Sequence, residues 1–303
     1  MCFGFLAYAR AIRSGKPLNR RLDKDFPLNY RHAFHAGNFA DLAKHAIVLQ
    51  LLSRLTIGAP LAVLDTHAGA GMYDLNDSAS QRSGEADAGV KRLMQADAPP
   101  AVFAPLINAV RACNPPGELA RYPGSPALIV GALRPIDRFL GCELRPDDYA
   151  VLNREMKRAA AAAKVTAHAV ERDGYGEVAS FAKREPRGLV LIDAPFERGD
   201  EYEQVLGAVQ TLADHRGMSA AIWTPLKDLE TFDSFLRGLE ALDLDDVIVA
   251  EVRLRPLSDP MKMNGCAMVL VNAPDISVDA AAICDWIAAT LGESGGRGQV
   301  FRL

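Results

Sequence analysis

Apolar residues occur along this chain in two textures. Short unbroken runs rich in β-branched side chains, such as Leu61-Ala62-Val63-Leu64 and Leu189-Val190-Leu191-Ile192, read as strands buried on both faces, the habit of parallel sheets. Longer stretches with apolar residues three and four apart read as amphipathic helices. The strands predicted in this way are 61–65, 138–143, 165–170, 189–192, 218–223, 246–254 and 267–272. About a dozen residues separate the last two, too few for a crossover, so they should pair antiparallel. The pattern predicts an α/β protein with a seven-stranded, mostly parallel sheet. Three of the runs end abruptly in an acid, at Asp65, Glu143 and Asp193. In open α/β sheets, ligands bind beyond the carboxyl ends of the strands, so these acids would stand at the mouth of a site.

Local signals place the helices. Asn38 followed by Asp41 resembles a capping pair for a helix running to about Leu55. Phe39, Leu42, Ala46 and Leu49 make one stripe of that helix, and Asn38, Asp41 and His45 make another. A polar stripe of this kind ordinarily faces solvent. Residues 73–122 interrupt the strand pattern with two further helices, near Glu85–Gln95 and Ala101–Cys113, and read as a helical subdomain inserted over one end of the sheet. Tyr122-Pro123-Gly124-Ser125-Pro126 should open another helix, with Ser125 as N-cap and Pro126 in the first helical position. An Ala-rich helix is expected from about Pro146 to Lys164.

The loop after the first strand carries the most chemistry. Asp65-Thr66-His67-Ala68-Gly69-Ala70-Gly71 places two glycines where the backbone must turn sharply and approach a ligand. It lacks the third glycine of the dinucleotide fingerprint, which disfavours NAD. An acid followed by Gly-x-Gly is instead the usual loop for S-adenosylmethionine (SAM). Glu171-Arg172-Asp173-Gly174 is an acid-glycine turn suited to the adenine edge of that cofactor. Asp193-Ala194-Pro195-Phe196 joins a carboxylate, a carbonyl, a stiff turn and an aromatic face. Four of the six histidines fall between His32 and His67, but no His-x-x-x-His spacing occurs and no metal site is predicted.

Composition adds bounds. At 303 residues the chain makes one large domain or a domain with an insertion, and its formal charge of −4 carries no global signal for nucleic acid. Five scattered cysteines without Cys-x-x-Cys spacing suit a reducing, cytoplasmic compartment. Residues 1–28 stand apart: Arg10, Arg13, Lys16, Arg20, Arg21 and Lys24 oppose only Asp23 and Asp25, the texture of a loosely ordered basic extension ahead of a domain over 29–303. Arg31, Lys44, Arg82 and Arg92 are candidates for phosphate contact.

Four motifs taken together resemble one family. They are Tyr30-Arg31-His32-Ala33-Phe34-His35-Ala36-Gly37-Asn38, the helix bearing Asp41 and Lys44-His45, the stretch Leu64 to Gly71, and Tyr122 to Pro126. From Leu28 to about Pro274 the chain resembles the RlmJ family of bacterial 23S ribosomal RNA adenine-N6 methyltransferases. The resemblance implies a Rossmann-like class I methyltransferase core with an inserted helical subdomain and SAM as methyl donor. It also implies adenine 2030 of free or partly assembled 23S rRNA as target, with neither a membrane nor an obligate protein partner. Motif by motif, it implies SAM contacts at His45, His67 and Ser125, completed by Asp65, Gly69, Gly71, Glu143, Asp173 and Gly174. Asp193 matches the catalytic acid beside the cofactor, and Tyr30 matches a tyrosine that meets the substrate, together with Ala194, Pro195 and Phe196. The family has Asp-Pro-Pro-Tyr where this chain has Asp193-Ala194-Pro195-Phe196. Phenylalanine keeps a stacking face; alanine keeps the carbonyl but frees φ and adds an N–H. The same residues leave two other readings open: a DNA adenine-N6 methyltransferase, and a SAM- or nucleic-acid-binding protein in which Ala194 has weakened catalysis.

Overall fold

The structure, a computed structural model, describes residues 34–257 and 263–303. The basic extension over 1–28, together with Tyr30, Arg31 and His32, lies outside them. The chain runs in the order α1 Phe39–Leu55, β1 Ala62–Asp65, β2 Met72–Asp74, α2 Ser78–Ser83, α3 Glu85–Ala88, α4 Val90–Gln95, α5 Ala104–Ala112, β3 Arg121–Pro123 and α6 Ser125–Ala132. It continues with β4 Arg138–Glu143, α7 Pro146–Ala163, β5 Thr166–Glu171, α8 Gly174–Arg184, β6 Gly188–Ile192, α9 Glu201–Ala213, β7 Met218–Leu226 and α10 Leu229–Glu240. It ends with β8 Val247–Arg253, β9 Gly265–Val271, α11 Ser277–Leu291 and β10 Arg297–Arg302.

Among the described residues, eight strands form one sheet in the order β10-β8-β9-β7-β6-β1-β4-β5. The five from β7 to β5 are parallel, and β9 pairs antiparallel with both β7 and β8. The expected antiparallel pair is therefore present, but the sheet has eight strands, not seven. The added strand, β10, is an antiparallel edge on β8. Its residues alternate between exposed and half-buried, so no continuous apolar run marks it in the sequence.

Helices cover both faces of the sheet, and pleating explains the split. Val63 joins the apolar layer of α1, α5, α6, α7 and α11, whereas Ala62 and Leu64 join the layer of α8, α9 and α10. All five residues of β6 are buried. β1 lies at the centre of the parallel part, with β4 on one side and β6 on the other, so the chain reverses its winding there. The carboxyl ends of β1, β4 and β6 thus bound the crevice where such sheets bind ligands.

Two local expectations change in the fold. The single helix expected near Glu85–Gln95 is broken at Gly89 into α3 and α4, because the Val90 N–H bonds the Gly37 carbonyl at 2.8 Å instead of continuing the helix. Gly124, not Ser125, is the N-cap of α6; Ser125 and Pro126 occupy its first two positions. Cys113, Cys142, Cys266 and Cys284 are unpaired thiols. Among the described residues, no helix is long and apolar enough to cross a membrane.

Candidate active site

Three strand tips and one helix meet in the crevice. β1 ends at Asp65, which is fully buried and accepts a 2.7 Å hydrogen bond from the Ser125 hydroxyl. This contact accounts for the shifted cap: the hydroxyl is committed to a carboxylate 60 residues away and is unavailable to its own helix. Burial pushes the Asp65 carboxyl up to about 7, and the nearby charge of Asp193 adds to that. Asp65 and Asp193 therefore share one electrostatic environment.

The glycine loop is tied down on both sides. The Thr66 N–H bonds the Leu191 carbonyl of β6 at 3.0 Å, and the Ala68 N–H bonds the Cys142 carbonyl of β4 at 2.9 Å. Gly69 and Gly71 both adopt positive φ, +60° and +78°, which suits glycine and disfavours other residues there. Glu143 at the tip of β4 accepts the Gly69 N–H at 2.9 Å through one oxygen and the Arg145 N–H at 2.7 Å through the other. Burial raises its carboxyl above the ordinary range, against the pull of those N–H groups. Asp173 caps α8 by accepting the Tyr175 N–H. Gly174 lies so close to β1 that a Cβ there would come within 2.0 Å of the Thr66 carbonyl oxygen. The loop is thus built on close backbone packing and rimmed by the acids Asp65, Glu143 and Asp173.

The polar stripe of α1 does not face solvent. Asn38, Lys44 and His45 are buried, and Asp41 is half-buried. Asn38 accepts the Asp41 N–H at 2.9 Å, and Asp41 accepts the N–H of Gly37, one residue before the cap, at 2.9 Å, so both side chains hold the turn that opens the helix. Lys44, expected among the phosphate-contacting cations, is only 5% exposed and carries out a different task. Its ammonium lies 2.5 Å from Asp193 Oδ2 and 2.8 Å from Asp41 Oδ1. Burial opposes the charge, but Asp193 and then Asp41 outweigh it and hold the ammonium well above its usual range. The Asp41 carboxyl is in turn held well below its ordinary value: burial works against ionisation, and Lys44 and then His45 overcome it. His45 Nδ1 pairs with the Tyr122 hydroxyl at 2.7 Å.

Asp193 follows β6 directly and is 5% exposed. Ala194 is buried, Pro195 is half-buried, and Phe196 takes φ +50°, a left-handed conformation uncommon for a bulky side chain. The Phe196 ring packs against Tyr202 and Trp223, with centroids 4.7 Å and 6.0 Å away. The structure thus brings His45, Asp65, His67, Gly69, Gly71, Ser125, Glu143, Asp173, Gly174 and Asp193 to one end of the sheet. Tyr30 and Arg31 lie outside the described residues. Arg82 on α2 and Arg92 on α4 are exposed, Arg82 lying over the Phe34 ring at 6.0 Å. The part that sequence reasoning missed is Lys44 as the partner of Asp193. Its spacing of three from Asp41 placed the two on one helix face and was the available signal.

Comparison with known proteins gives the family. A family model described as "Ribosomal RNA large subunit methyltransferase D, RlmJ" matches residues 58–302. Ribosomal RNA large subunit methyltransferase J of Escherichia coli (strain K12) is 34% identical over 250 residues, 82% of this chain and 88% of that protein. The protein of the same name from Haemophilus influenzae is 34% identical over 251 residues, again 82% of this chain and 88% of its own. The crystal structure of protein LPL1258 from Legionella pneumophila has a TM-score of 0.80 at 27% identity, covering 88% of this chain and 98% of that one. Glycine loop, strand-tip acids and the extent of these matches lead to one conclusion: the chain belongs to the RlmJ family of ribosomal RNA large subunit methyltransferases, enzymes that transfer the methyl group of SAM to ribosomal RNA.

Proposed function

We propose that this enzyme methylates the N6 amine of an adenine in 23S rRNA, adenine 2030 by family resemblance, acting in the cytoplasm on free or partly assembled RNA without an obligate protein partner. The observation that carries the reading is the loop from Asp193 to Phe196, with its carboxylate anchored by Lys44 at 2.5 Å. An exocyclic adenine amine is a poor nucleophile because its lone pair is delocalised into the ring. Anchoring Asp193 through Oδ2 leaves Oδ1 to accept one amine hydrogen, and the Ala194 carbonyl would accept the other. Holding both favours a more tetrahedral nitrogen, and Asp193 accepts the proton as positive charge develops.

The residues present fit SAM. When bound, SAM supplies an electrophilic methyl group on a sulfonium. Gly69 and Gly71 at positive φ, with the Glu143 carboxylate at the tip of β4 holding the loop through the Gly69 N–H, are the observations that fit it. Glu143 would hold the ribose hydroxyls, Asp173-Gly174 would border the adenine, and Asp65, His67, Ser125 and His45 would line the remainder. Phe196 and Tyr30 would flank the target base, which must leave its stack to enter.

Incubating the protein with tritiated SAM and an unmodified 23S rRNA fragment, then analysing nucleosides, should yield N6-methyladenosine. A DNA oligonucleotide of the same sequence should be a much poorer substrate. Label in any other nucleoside, or preference for the DNA, would overturn the proposal. The assignment of Glu143 is separately open to test. Glu143→Ala should weaken SAM binding by about 1.5–3 kcal/mol per lost charge-assisted hydrogen bond, roughly 10- to 100-fold, by calorimetry. Glu143→Gln, which keeps one acceptor for the Gly69 N–H, should fall between; unchanged affinity in both variants would remove Glu143 from the site.

A further inference from the structure

Glu85 opens α3 and reaches across to the start of α1. Both of its carboxylate oxygens lie within hydrogen-bond distance of His35 Nδ1, at 2.9 and 3.0 Å. A carboxylate only accepts, so Nδ1 carries the proton. That bond is the largest reason the His35 imidazole is held above its usual value. Glu85 Oε2 also accepts the Asn38 amide at 2.8 Å. Asn38, only 6% exposed, is the N-cap of α1, and its Oδ1 accepts the Asp41 N–H at 2.9 Å. An asparagine amide has one oxygen and one NH2 group, so Glu85, by taking the NH2, fixes which way the amide faces. Backbone contacts close the same junction: the Val90 N–H bonds the Gly37 carbonyl at 2.8 Å, and a Cβ on Gly89 would come within 2.1 Å of that carbonyl oxygen. From this turn, contacts run without a gap to the 193–196 loop. Asp41 holds the Gly37 N–H through Oδ2 and the Lys44 ammonium through Oδ1, and Lys44 holds Asp193 at 2.5 Å. Capping alone does not call for Glu85, because an N-cap needs only the side-chain oxygen.

We propose that Glu85 is a positioning residue for methyl transfer: by holding the Asn38 amide and His35 it fixes the first turn of α1, and through Asp41 and Lys44 it sets the placement of the Asp193 carboxylate. The inference rests on the reading that 193–196 is the catalytic loop. A network of this kind acts on a site only where replacements along it are coupled, and that coupling is measurable.

Variants of the full-length protein test it. Glu85→Ala removes the clamp, and Glu85→Gln keeps one oxygen for the Asn38 amide. Asn38→Ser keeps a capping oxygen but has no amide to reach Glu85. Single-turnover methylation at saturating SAM and RNA should fall about 10-fold in Glu85→Ala and in Asn38→Ser, the size expected for a displaced reacting group. Glu85→Gln should stay within about threefold of wild type, and SAM affinity and the KM for RNA within about twofold in all three. Combining Glu85→Ala with Asn38→Ser should slow the reaction by less than about twofold beyond either alone, because both break one contact. In the Asp41→Ala background, Glu85→Ala should likewise add less than about twofold, because the route through Asp41 is already cut. Asn38→Ser carries the test if Glu85→Ala does not fold. A wild-type rate in Glu85→Ala or Asn38→Ser overturns the proposal, as does a loss confined to the KM for RNA. So does a Gln variant as slow as Ala, or the full loss repeated on either background, the mark of a purely structural residue. Asp193→Ala in the same assay separates the two ideas. If it still methylates, the catalytic-loop reading fails; if it is inactive while Glu85→Ala is normal, only the role of Glu85 fails.

Discussion

Asp193→Ala is expected to fold, to keep much of its SAM affinity and to lose methylation rate by at least about 10²-fold, the low end for a lost acid–base group. The carboxylate would act on the amine as it becomes tetrahedral, so its removal should fall on the transition state more than on either bound ground state. Lys44 would still hold Asp41 at 2.8 Å, which keeps its buried ammonium paired. Asp193→Asn is the sharper probe: it retains an acceptor but not the charge. More activity in Asn than in Ala would make geometry the larger factor; equal inactivity would favour charge or proton acceptance. Ala194→Pro, restoring the family's loop, should be tolerated and raise the rate by fixing the φ of the residue whose carbonyl faces the amine. Single-turnover rates on one RNA fragment decide among these, and near-wild-type methylation by Asp193→Ala would remove the loop from the reaction.

Lys44→Met is expected to be damaging in a different way. It leaves the Asp41 and Asp193 carboxylates facing each other with no cation between them, and breaking a buried pair costs about 3–5 kcal/mol. The sign of its pH dependence follows from Asp41, whose folded carboxyl is held below its ordinary value chiefly because Lys44 offsets burial. In the wild type that contribution is fully present above the unfolded carboxylate range and is lost progressively as pH falls below that range through the depressed folded value. In Lys44→Met burial of Asp41 would no longer be offset and its carboxyl would instead favour protonation, so the deficit should be largest at pH 8 and shrink toward pH 4–5. Denaturant unfolding at both pH values measures this. Methylation should also fall, because Asp193 loses the contact that fixes Oδ2. Equal deficits at both pH values, or a wild-type rate, would show that Lys44 neither offsets the two charges nor orients Asp193.

The chain determined much of its own architecture. Strands buried on both faces write themselves as consecutive apolar residues; β1 and β4 end in acids, and an acid follows β6 directly, at the positions the runs predict. Caps are local, so the Asn38–Asp41 pair was legible from spacing alone. The glycine loop was legible because positive φ leaves a compositional mark at Gly69 and Gly71. Only the tertiary structure decided the rest, since those features depend on residues far apart in sequence. Lys44 meets Asp193 across 149 positions, and Ser125 meets Asp65 across 60. No periodicity records such a meeting, so a buried ammonium reads in sequence as a surface cation and a serine committed to a carboxylate reads as a cap. The eighth strand escaped notice because an edge strand buries only part of its length and pattern. The left-handed turn of Phe196 lay beyond sequence altogether: a phenylalanine takes that conformation only where tertiary surroundings hold it, here with its ring packed on Tyr202 and Trp223.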